Sequence, residues 1–326
     1  MNEIPSPLAA MIDVSRKCNS HCSYCSDWSK KNQAELKLDT IYSLIDELQE
    51  IGTKYVCFSG GEPLLYKNIA EAIQYTKQKN ISAWLITNGL LLTKHRLDQL
   101  VKNGLECCIL SIDSIDPTCY QQHRGVPFQH IESALDSLQI SRKKSKKNLH
   151  IILNCVVTRI NQNKLFELVD YANQQGFYIL LQPYESRVMS LPIEEDPFQF
   201  RDEDFILLEE TLSNLLSVLD YSPILNSPFF LKHMTSYLRN RSMPEGFQCN
   251  AAEIAVCIGN NGEWYPCWHL PSVGNIHHNT LQSIMRSEEA EAARAKMKTL
   301  NCPTCWTSCH LEFVHVIEKL TGNCNG

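Results

Sequence analysis

Apolar and polar residues alternate with two different periods from residue 8 to about residue 220. Short runs of apolar, β-branched and aromatic residues predict strands at 8–14, 54–59, 82–87, 106–113, 150–158 and 177–182. Between these runs, apolar residues recur at helical spacing and predict helices at 38–51, 69–79, 94–103, 131–142 and 164–175. Gly52, Gly104 and Gly176 directly follow three of these helices, as is typical of helix ends.

Strands that alternate with helices indicate an α/β protein whose parallel strands are joined by helical crossovers. Six strand–helix units are too few to close an eight-stranded barrel. A long loop at 184–201 precedes a final helix at 202–219, and the proline-rich segment after that helix is typical of a connection. We therefore predict a first domain at 1–225, a linker at 226–247 and a second domain at 248–326.

The 326 residues include 44% hydrophobic and 20% charged residues, which is typical of a soluble globular protein. The net charge of −6 argues against nucleic acid or a membrane surface as a partner. The sequence contains no run of 18 or more apolar residues, and residues 1–5 do not resemble the start of a signal peptide. We therefore expect a cytoplasmic protein without a membrane span.

Fifteen cysteines are a large number for this length, and Cys18, Cys22 and Cys25 form a C-x3-C-x2-C motif directly after the first predicted strand. Cysteines at short spacings in an intracellular protein are more often metal ligands than disulfide partners. Three soft thiolates on one loop suit an iron–sulfur cluster with one iron left without a protein ligand. A closed zinc site would need a fourth ligand, and His21, which could supply it, lies between two of the cysteines.

With the aromatic Tyr24 before its last cysteine, this motif resembles the CxxxCxΦC motif of the radical S-adenosylmethionine (SAM) superfamily. The segment FSGGEP at 58–63 follows the second predicted strand and resembles that family's GGEP motif, which binds the methionyl amino group of SAM. The resemblance implies a partial (β/α)6 TIM-like barrel, open on one side. It also implies a SAM-binding [4Fe–4S] cluster on the three cysteines, with SAM contacts from Tyr24, Gly60, Gly61, Glu62 and Pro63.

Polar residues near the ends of the later strands are further candidates for SAM contacts. Asn88 follows the third predicted strand, and Asn154 lies on the fifth. Ser111 and Asp113 lie two residues apart and therefore share a face of the fourth strand. Asp113 is equally well explained as a loop residue or a helix N-cap. Two more candidates, for SAM or substrate, are Arg159 and Gln182.

Cysteines become frequent again after residue 248, at Cys249, Cys257, Cys267, Cys302, Cys305, Cys309 and Cys324. The G-x4-C text at 262–267 and the C-x2-C text at 302–305 resemble the SPASM and twitch domains, which carry auxiliary iron–sulfur clusters in radical SAM enzymes. In the SPASM pattern, C-x2-C-x5-C-x3-C, a third cysteine follows the C-x2-C pair after five residues. That cysteine is missing here, because Cys305 is followed by Cys309 and then only by Cys324, which favours the one-cluster twitch form. The resemblance implies one auxiliary [4Fe–4S] cluster on Cys249, Cys267, Cys302 and Cys305.

A small C-terminal domain of a β-hairpin plus a helix would bring these ligands together. The predicted hairpin has strands at 253–258 and 263–267 around a turn at 259–262, and the helix spans 281–300. Zinc bound by the same four thiolates is one alternative. A second auxiliary cluster that uses Cys257, Cys309 and Cys324 is another.

The resemblance implies reductive cleavage of SAM to a 5′-deoxyadenosyl radical that abstracts a substrate hydrogen, with electrons from a flavodoxin- or ferredoxin-type donor. Three functions follow. The first is modification of a ribosomally made peptide by epimerisation or cross-linking. Because no peptide-recognition domain precedes residue 8, the precursor would need a separate recognition protein or direct docking. The second is oxidation or rearrangement of a small molecule, such as a sugar or cofactor precursor, and the third is a non-catalytic iron–sulfur protein. In an epimerisation, Cys257 or Cys309 is the candidate thiol that returns a hydrogen atom.

Overall fold

Six parallel strands form the main sheet, and each strand is hydrogen-bonded to the one before it in the chain. The structure, a computed structural model, describes residues 6–26, 34–144, 149–185 and 196–322, without the side chains of residues 144, 309 and 310. The strands are β1 (Ala9–Ser15), β2 (Tyr55–Gly60), β3 (Ser82–Thr87), β4 (Leu105–Ser111), β5 (His150–Val157) and β6 (Tyr178–Pro183). All five pairings are parallel, which confirms the predicted partial barrel.

Helices connect these strands and cover the outer face of the sheet. Those of the barrel are α1 (Leu38–Glu50), α2 (Ile69–Gln78), α3 (Lys94–Lys102), α4 (Pro117–Arg124), α5 (Gln129–Lys144), α6 (Leu165–Gln175), α7 (Asp204–Ser217) and α8 (Pro228–Asn240). Helix α1, for example, buries an apolar stripe of Ile41, Leu44, Ile45 and Leu48. The long loop expected at 184–201 lies mostly outside the described residues.

Most of the segment expected as a linker at 226–247 is helical, because α8 occupies it. Ser227 accepts a hydrogen bond from the Phe230 amide, and Pro228 stands in the first turn, where a missing amide proton leaves no helical bond unmade. Phe230 and Met234 are fully buried in the main hydrophobic core. The segment is therefore part of the packed structure, since prolines here begin a helix instead of marking a loop.

The C-terminal region extends the same sheet. Its strands are β7 (Ala255–Ile258), β8 (Glu263–Tyr265) and β9 (Gly274–Asn275), and its helices are α9 (Ala251–Ile254), α10 (Leu281–Met285), α11 (Glu288–Lys298), α12 (Ser308–Leu311) and α13 (Phe313–Thr321). Strand β7 pairs in parallel with β1, and β8 and β9 follow in antiparallel order. Within the described residues the sheet therefore has the order β6-β5-β4-β3-β2-β1-β7-β8-β9.

Two details of the C-terminal region differ from the expectation. The predicted hairpin is present, but its first strand begins only at Ala255 because residues 251–254 are helical. The single helix expected at 281–300 is two helices, since Ser287 caps α11 by accepting a hydrogen bond from the Ala290 amide.

The inner, concave face of the barrel is closed at its amino-terminal end by α13. Phe313 packs edge-on against Tyr55, with ring centroids 5.8 Å apart, and lies 5.6 Å from Trp84. Val316 and Leu320 belong to the same apolar cluster. At the opposite end of the inner face, the carboxyl ends of the strands present polar side chains such as those of Ser111 and Asn154.

Truncation of a residue on β7 tests whether this strand belongs to the main core. Ile258 is fully buried and in register with Ile12 of β1, so Ile258→Ala should lower the free energy of unfolding by about 2–5 kcal/mol. Ile206, which is 75% exposed, provides the matched control, and Ile206→Ala should cost about 0.5 kcal/mol or less. Urea unfolding measures both, and equal losses would contradict the packing of β7.

Candidate active site

The three cysteines of the first motif line one cavity at the carboxyl ends of the strands. The cavity has a volume of about 270 Å³. Its wall also contains the side chains or backbone of Ser20, Tyr24, Gly60, Gly61, Ile86, Thr87, Asn88, Ser111, Arg124, Asn154 and Val156. The sequence-predicted residues Tyr24, Gly60, Gly61, Asn88, Ser111 and Asn154 thus lie together with Cys18, Cys22 and Cys25.

Sheet register explains why three of the polar residues meet. Ser111 of β4 pairs with Asn154 of β5, and in-register neighbours on adjacent strands share a face. Asn88 directly follows Thr87, the residue of β3 that pairs with Leu110, and so stands at the level of Ser111. The result is a row of amide and hydroxyl groups across three strand ends.

Hydrogen bonds to sulfur organise the cysteine loop. The Ser20 amide lies 3.5 Å from Cys18 Sγ, the Ser20 hydroxyl 3.4 Å from Cys22 Sγ, and Asn88 Nδ2 3.8 Å from Cys18 Sγ. Burial raises the pKa of the Cys18 thiol to about 11, so this thiol is protonated at neutral pH without a metal. Iron binding would displace the proton, because the thiolate is the ligand.

Helix α4, which the sequence analysis did not predict, holds the cysteine loop from outside. The Ser23 amide donates to the His123 carbonyl at 2.9 Å, and the Ser20 hydroxyl donates to the Arg124 carbonyl at 3.0 Å. Gly125 ends the helix with φ of 68°, and a Cβ there would lie 2.3 Å from the His21 carbonyl oxygen. The signal was present in the sequence: Asp116-Pro117 begins the helix and a glycine ends it.

The GGEP loop packs directly against the backbone of the cysteine loop. The Gly61 amide donates to the Ser15 carbonyl at 2.8 Å, and a Cβ on Gly61 would lie 2.4 Å from the Lys17 carbonyl oxygen. The Glu62 carboxylate is fully buried and accepts hydrogen bonds from the Leu64 amide, the Thr87 hydroxyl and the Asn88 amide, at 2.9, 2.8 and 2.7 Å. Burial raises the pKa of Glu62, and these three donors oppose that effect.

The geometry therefore gives Glu62 a different role from the expected SAM contact. Its carboxylate ties the GGEP loop to the end of β3, and neither Glu62 nor Pro63 lines the cavity. Of this loop, Gly60 and Gly61 line the cavity, and their lack of a Cβ leaves the backbone accessible to a ligand.

Asp113 also departs from the expected SAM contact. It is 1% exposed and does not line the cavity. Its carboxylate accepts hydrogen bonds from the Tyr24 hydroxyl at 2.8 Å, Arg124 Nη2 at 2.9 Å and the Val156 amide at 2.8 Å. Its alternative role as a helix N-cap is not observed either, because Asp116 caps α4. Asp113 instead joins the cysteine loop, α4 and β5.

The four cysteines of the second motif line a separate, small cavity. Cys249, Cys267, Cys302 and Cys305 surround it together with Met243, Phe247, His269, Leu270, Met297, Leu300 and Thr304. A hydrogen bond with Cys267 and burial both raise the pKa of the Cys305 thiol. Cys257 is fully buried on β7 and does not line this cavity, and the side chains of Cys309 and Cys324 lie outside the described residues.

The spacing of these thiols bears on the zinc alternative. Among the described side chains, no group of three or more His, Cys, Asp or Glu residues is arranged to hold a metal ion. A structural zinc ion gathers four ligands at about 2.3 Å from one point. Metal analysis of the purified protein separates zinc from an iron–sulfur cluster at these four thiols.

Polar contacts connect the second cysteine motif to the end of β6. The Ser308 amide donates to Gln182 Oε1 at 2.9 Å, and Gln182 Nε2 donates to the Ser308 hydroxyl. Glu185, which is 3% exposed, accepts hydrogen bonds from Arg241 Nη1 at 2.7 and 2.8 Å and from the Tyr237 hydroxyl. That hydroxyl lies 3.4 Å from the carbonyl of Thr304, between Cys302 and Cys305. Sequence reasoning missed Glu185, Tyr237, Arg241 and Ser308, because nothing in their spacing indicates that they meet.

Arg159 lies away from the cavity, where it forms an ion pair with Asp204 at 3.0 Å. Gln182 is likewise engaged with Ser308. In the described part of the chain, no helix is long and apolar enough to span a membrane.

A partial barrel with three cysteines beside a GGEP loop, and with four more around a second cavity, defines a radical SAM enzyme with an auxiliary iron–sulfur domain. Comparison with protein families gives the same result. Residues 12–172 match the radical SAM superfamily, and residues 249–310 match SPASM, an iron–sulfur cluster-binding domain. The chain therefore belongs to the radical SAM superfamily, and its C-terminal part is a SPASM iron–sulfur domain.

Its relatives are distant. The AdoMet-dependent heme synthase of Nitratidesulfovibrio vulgaris is 22% identical over 319 residues, which cover 87% of this chain and 80% of the synthase. The PqqA peptide cyclase of Xanthomonas campestris pv. campestris is 29% identical over 182 residues, 54% of this chain. That match covers 46% of the cyclase, so it accounts for about half the length of that relative.

Solved structures share the fold. Streptococcus suis SuiB bound to the precursor peptide SuiA superposes with a TM-score of 0.69 at 18% identity, over 91% of this chain and 69% of SuiB. BtrN in complex with AdoMet and 2-DOIA gives a TM-score of 0.53 at 16% identity, over 96% of this chain and 99% of BtrN. These likenesses establish the architecture alone.

A methyl group on Gly61 tests the contact between the two loops. Overpacking costs about 1–3 kcal/mol, so Gly61→Ala should weaken SAM binding by about tenfold or more. The overlap with the Lys17 carbonyl would push the GGEP loop away from the cysteine loop. Gly246→Ala is the control for backbone strain away from the cavity, because alanine is strained at a φ of 72° but its Cβ would meet no atom within 4 Å there. Anaerobic titration calorimetry measures both, and unchanged SAM binding in Gly61→Ala would refute the close contact.

Metal analysis tests the two cysteine sets separately. Replacing Cys18, Cys22 and Cys25 with alanine should remove about half of the iron, about four irons per chain, and leave the remainder. Cys108→Ala is the control, because that thiol is fully buried in the core and lines neither cavity. Zinc in place of the residual iron would contradict the auxiliary cluster.

Proposed function

We propose that this enzyme modifies a ribosomally made peptide, by epimerisation or by cross-linking. The observation that carries the proposal is that both cysteine cavities belong to one continuous sheet through the pairing of β1 with β7. A substrate on the inner face would then lie between a radical source and a second redox centre. The PqqA peptide cyclases and the SuiB complex with its precursor peptide are similar to this chain and support peptide chemistry.

The residues of the first cavity fit the cofactors of the family. Cys18, Cys22 and Cys25 would hold the [4Fe–4S] cluster. Once reduced by an external donor, that cluster would supply the one electron that cleaves SAM to methionine and a 5′-deoxyadenosyl radical. The amide and hydroxyl row of Asn88, Ser111 and Asn154 would bind polar groups of SAM. Tyr24 and Val156 would cover the cavity with apolar surface that excludes water.

The second cavity would hold one auxiliary cluster. Cys249, Cys267, Cys302 and Cys305 would ligate all its irons, so it would contribute electron transfer and would not bind the substrate. The extra strand β7 and the polar contacts at the end of β6 would fix its position relative to the first cavity. We also propose that the chain divides near residue 248 into a barrel and an auxiliary domain.

A second candidate function is the modification of a small molecule. The AdoMet-dependent heme synthase aligns over most of its length, and BtrN with bound 2-DOIA over nearly all of it, which makes this chain similar in size to enzymes with small substrates. Either function needs a low-potential, one-electron donor of the flavodoxin or ferredoxin type. We propose a cytoplasmic location because iron–sulfur clusters favour a reducing compartment.

Mass spectrometry after anaerobic incubation with SAM, dithionite and candidate substrates tests the function. A peptide maturase that cross-links should lower the mass of the peptide by two hydrogens. A maturase that epimerises should, in deuterated water, introduce one deuterium at an α-carbon. Cys22→Ala should abolish 5′-deoxyadenosine formation, because it removes a ligand while the core stays intact. Turnover of a small molecule with no change in any peptide would favour the second function, and SAM cleavage by Cys22→Ala would contradict the site.

A hydrogen-donating thiol separates epimerisation from net oxidation. Cys257 pairs with Met11 of β1 and with Tyr265 of β8, so it lies on the inner face of the sheet. If Cys257 returns a hydrogen atom to the substrate radical, Cys257→Ala should lose deuterium incorporation from deuterated water while 5′-deoxyadenosine still forms. Cys155→Ala, a buried thiol on the outer face of β5, is the control. Full incorporation in Cys257→Ala would exclude this thiol and leave Cys309 to be tested in the same way.

A further inference from the structure

One ion pair in the wall of the first cavity has no part in the proposed function. Arg124, the last residue of α4, is 7% exposed and lines the cavity with the three cysteines. Its partner Asp113 is 1% exposed and lies behind it, outside the lining. Arg124 Nη2 donates to Asp113 Oδ1 at 2.9 Å, and Nε lies 2.7 Å from Oδ2 as an ion pair, although its N–H does not point at that oxygen.

A buried ion pair is a poor source of stability. Removing two charges from water costs several kcal/mol per ion, and apolar residues of similar volume often stabilise a core as well or better. The fold thus does not explain why a full positive charge lies beside three cysteines. A charge in a low-dielectric wall does have a strong electrostatic effect on what the cavity holds.

Arg124 is also connected to the cysteine loop by contact. The Ser20 hydroxyl donates to its carbonyl at 3.0 Å and lies 3.4 Å from Cys22 Sγ. The guanidinium lies 5.6 Å from the centre of the Tyr24 ring, and the Tyr24 hydroxyl donates to Asp113. Any group that the three cysteines hold is therefore held close to this pair.

We propose that the Asp113–Arg124 pair sets the reduction potential of the [4Fe–4S] cluster that Cys18, Cys22 and Cys25 hold. Reduction adds one negative charge to a cluster that already carries three thiolates. A nearby guanidinium stabilises the reduced form, and the carboxylate behind it offsets part of that effect. Arg124 is thus a positioning and charge-setting residue for the cluster, and Asp113 limits how strongly it acts.

Removing the negative charge and removing the positive charge should shift the reduced-to-oxidised ratio of the cluster in opposite directions. Asp113→Asn leaves the cation uncompensated and should raise the reduced-to-oxidised ratio at a fixed ambient potential by about tenfold, which is about 59 mV for a one-electron couple. Arg124→Met should lower that ratio by a similar factor. Arg124→Lys, which keeps the charge, and the double variant Asp113→Asn with Arg124→Met, which keeps the net charge, should both stay near the wild type.

The experiment is a redox titration of the reconstituted full-length enzyme, followed by electron paramagnetic resonance in the absence of SAM. Without SAM, a shift cannot arise from a changed contact between Arg124 and SAM. The auxiliary cluster serves as an internal reference, since its four cysteines line a different cavity. Iron content is measured for every variant, and Tyr24→Phe, which removes a hydroxyl donor to Asp113 without changing charge, reports on loop positioning alone.

Opposite shifts in the two single variants, with recovery in the double variant, would support the proposal. Shifts of the same sign, or no shift, would overturn it, because a structural defect has no reason to follow charge. The titration is then repeated with SAM, and a shift that appears only in that second titration would overturn the proposal in favour of a SAM-binding role for Arg124. Failure of both single charge variants to load iron would also overturn it, since the pair would then support the loop without setting the potential.

Discussion

Three buried carboxylates hold the irregular segments on which both cysteine sites depend. Glu62, Asp113 and Glu185 are 0%, 1% and 3% exposed, and each follows the end of an alternate strand, β2, β4 or β6. Loops at strand ends have no ladder partners, so their amides and hydroxyls need other acceptors. A carboxylate offers about four lone-pair sites and can accept from several donors at once. Each of these three does so, and each joins a cysteine loop or its neighbour to the sheet.

Close backbone contacts at two glycines also hold the cysteine loop in place. Gly61 and Gly125 bring the GGEP loop and the end of α4 against the cysteine loop, at distances where any Cβ would overlap a carbonyl oxygen. The loop is thereby held from both sides by backbone, and its three thiols face one cavity. Strand β7 extends this frame to the second cavity, because its pairing with β1 makes the two sites parts of one sheet. Relative movement of the sites would break that pairing.

Much of this arrangement is readable from the sequence, for a physical reason. The ends of the six predicted strands agree with the structure to within two residues, since buried parallel strands show as apolar runs and the helices as apolar residues at helical spacing. The cysteine motifs and the two glycines of GGEP are local, and they lie where expected. Helices α4 and α8 were missed, because a proline at the first helical position has the same local signature as a turn.

Side-chain direction is what sequence cannot supply. Glu62 and Asp113 have the chemistry of ligands for SAM, and both stand at strand ends near the cavity, yet their carboxylates bind the protein itself. The Asn88 side chain also bonds to Asn19 and to the Leu90 amide, so the uncharged Ser111 and Asn154 remain for a ligand, together with backbone at Gly60 and Gly61. In the described wall of the cavity the charged side chain is therefore Arg124, and its carboxylate partner lies outside the lining. A cavity built in this way has one paired positive charge in its wall and otherwise offers neutral dipoles. That arrangement suits a centre that must accept an electron before any bond is broken.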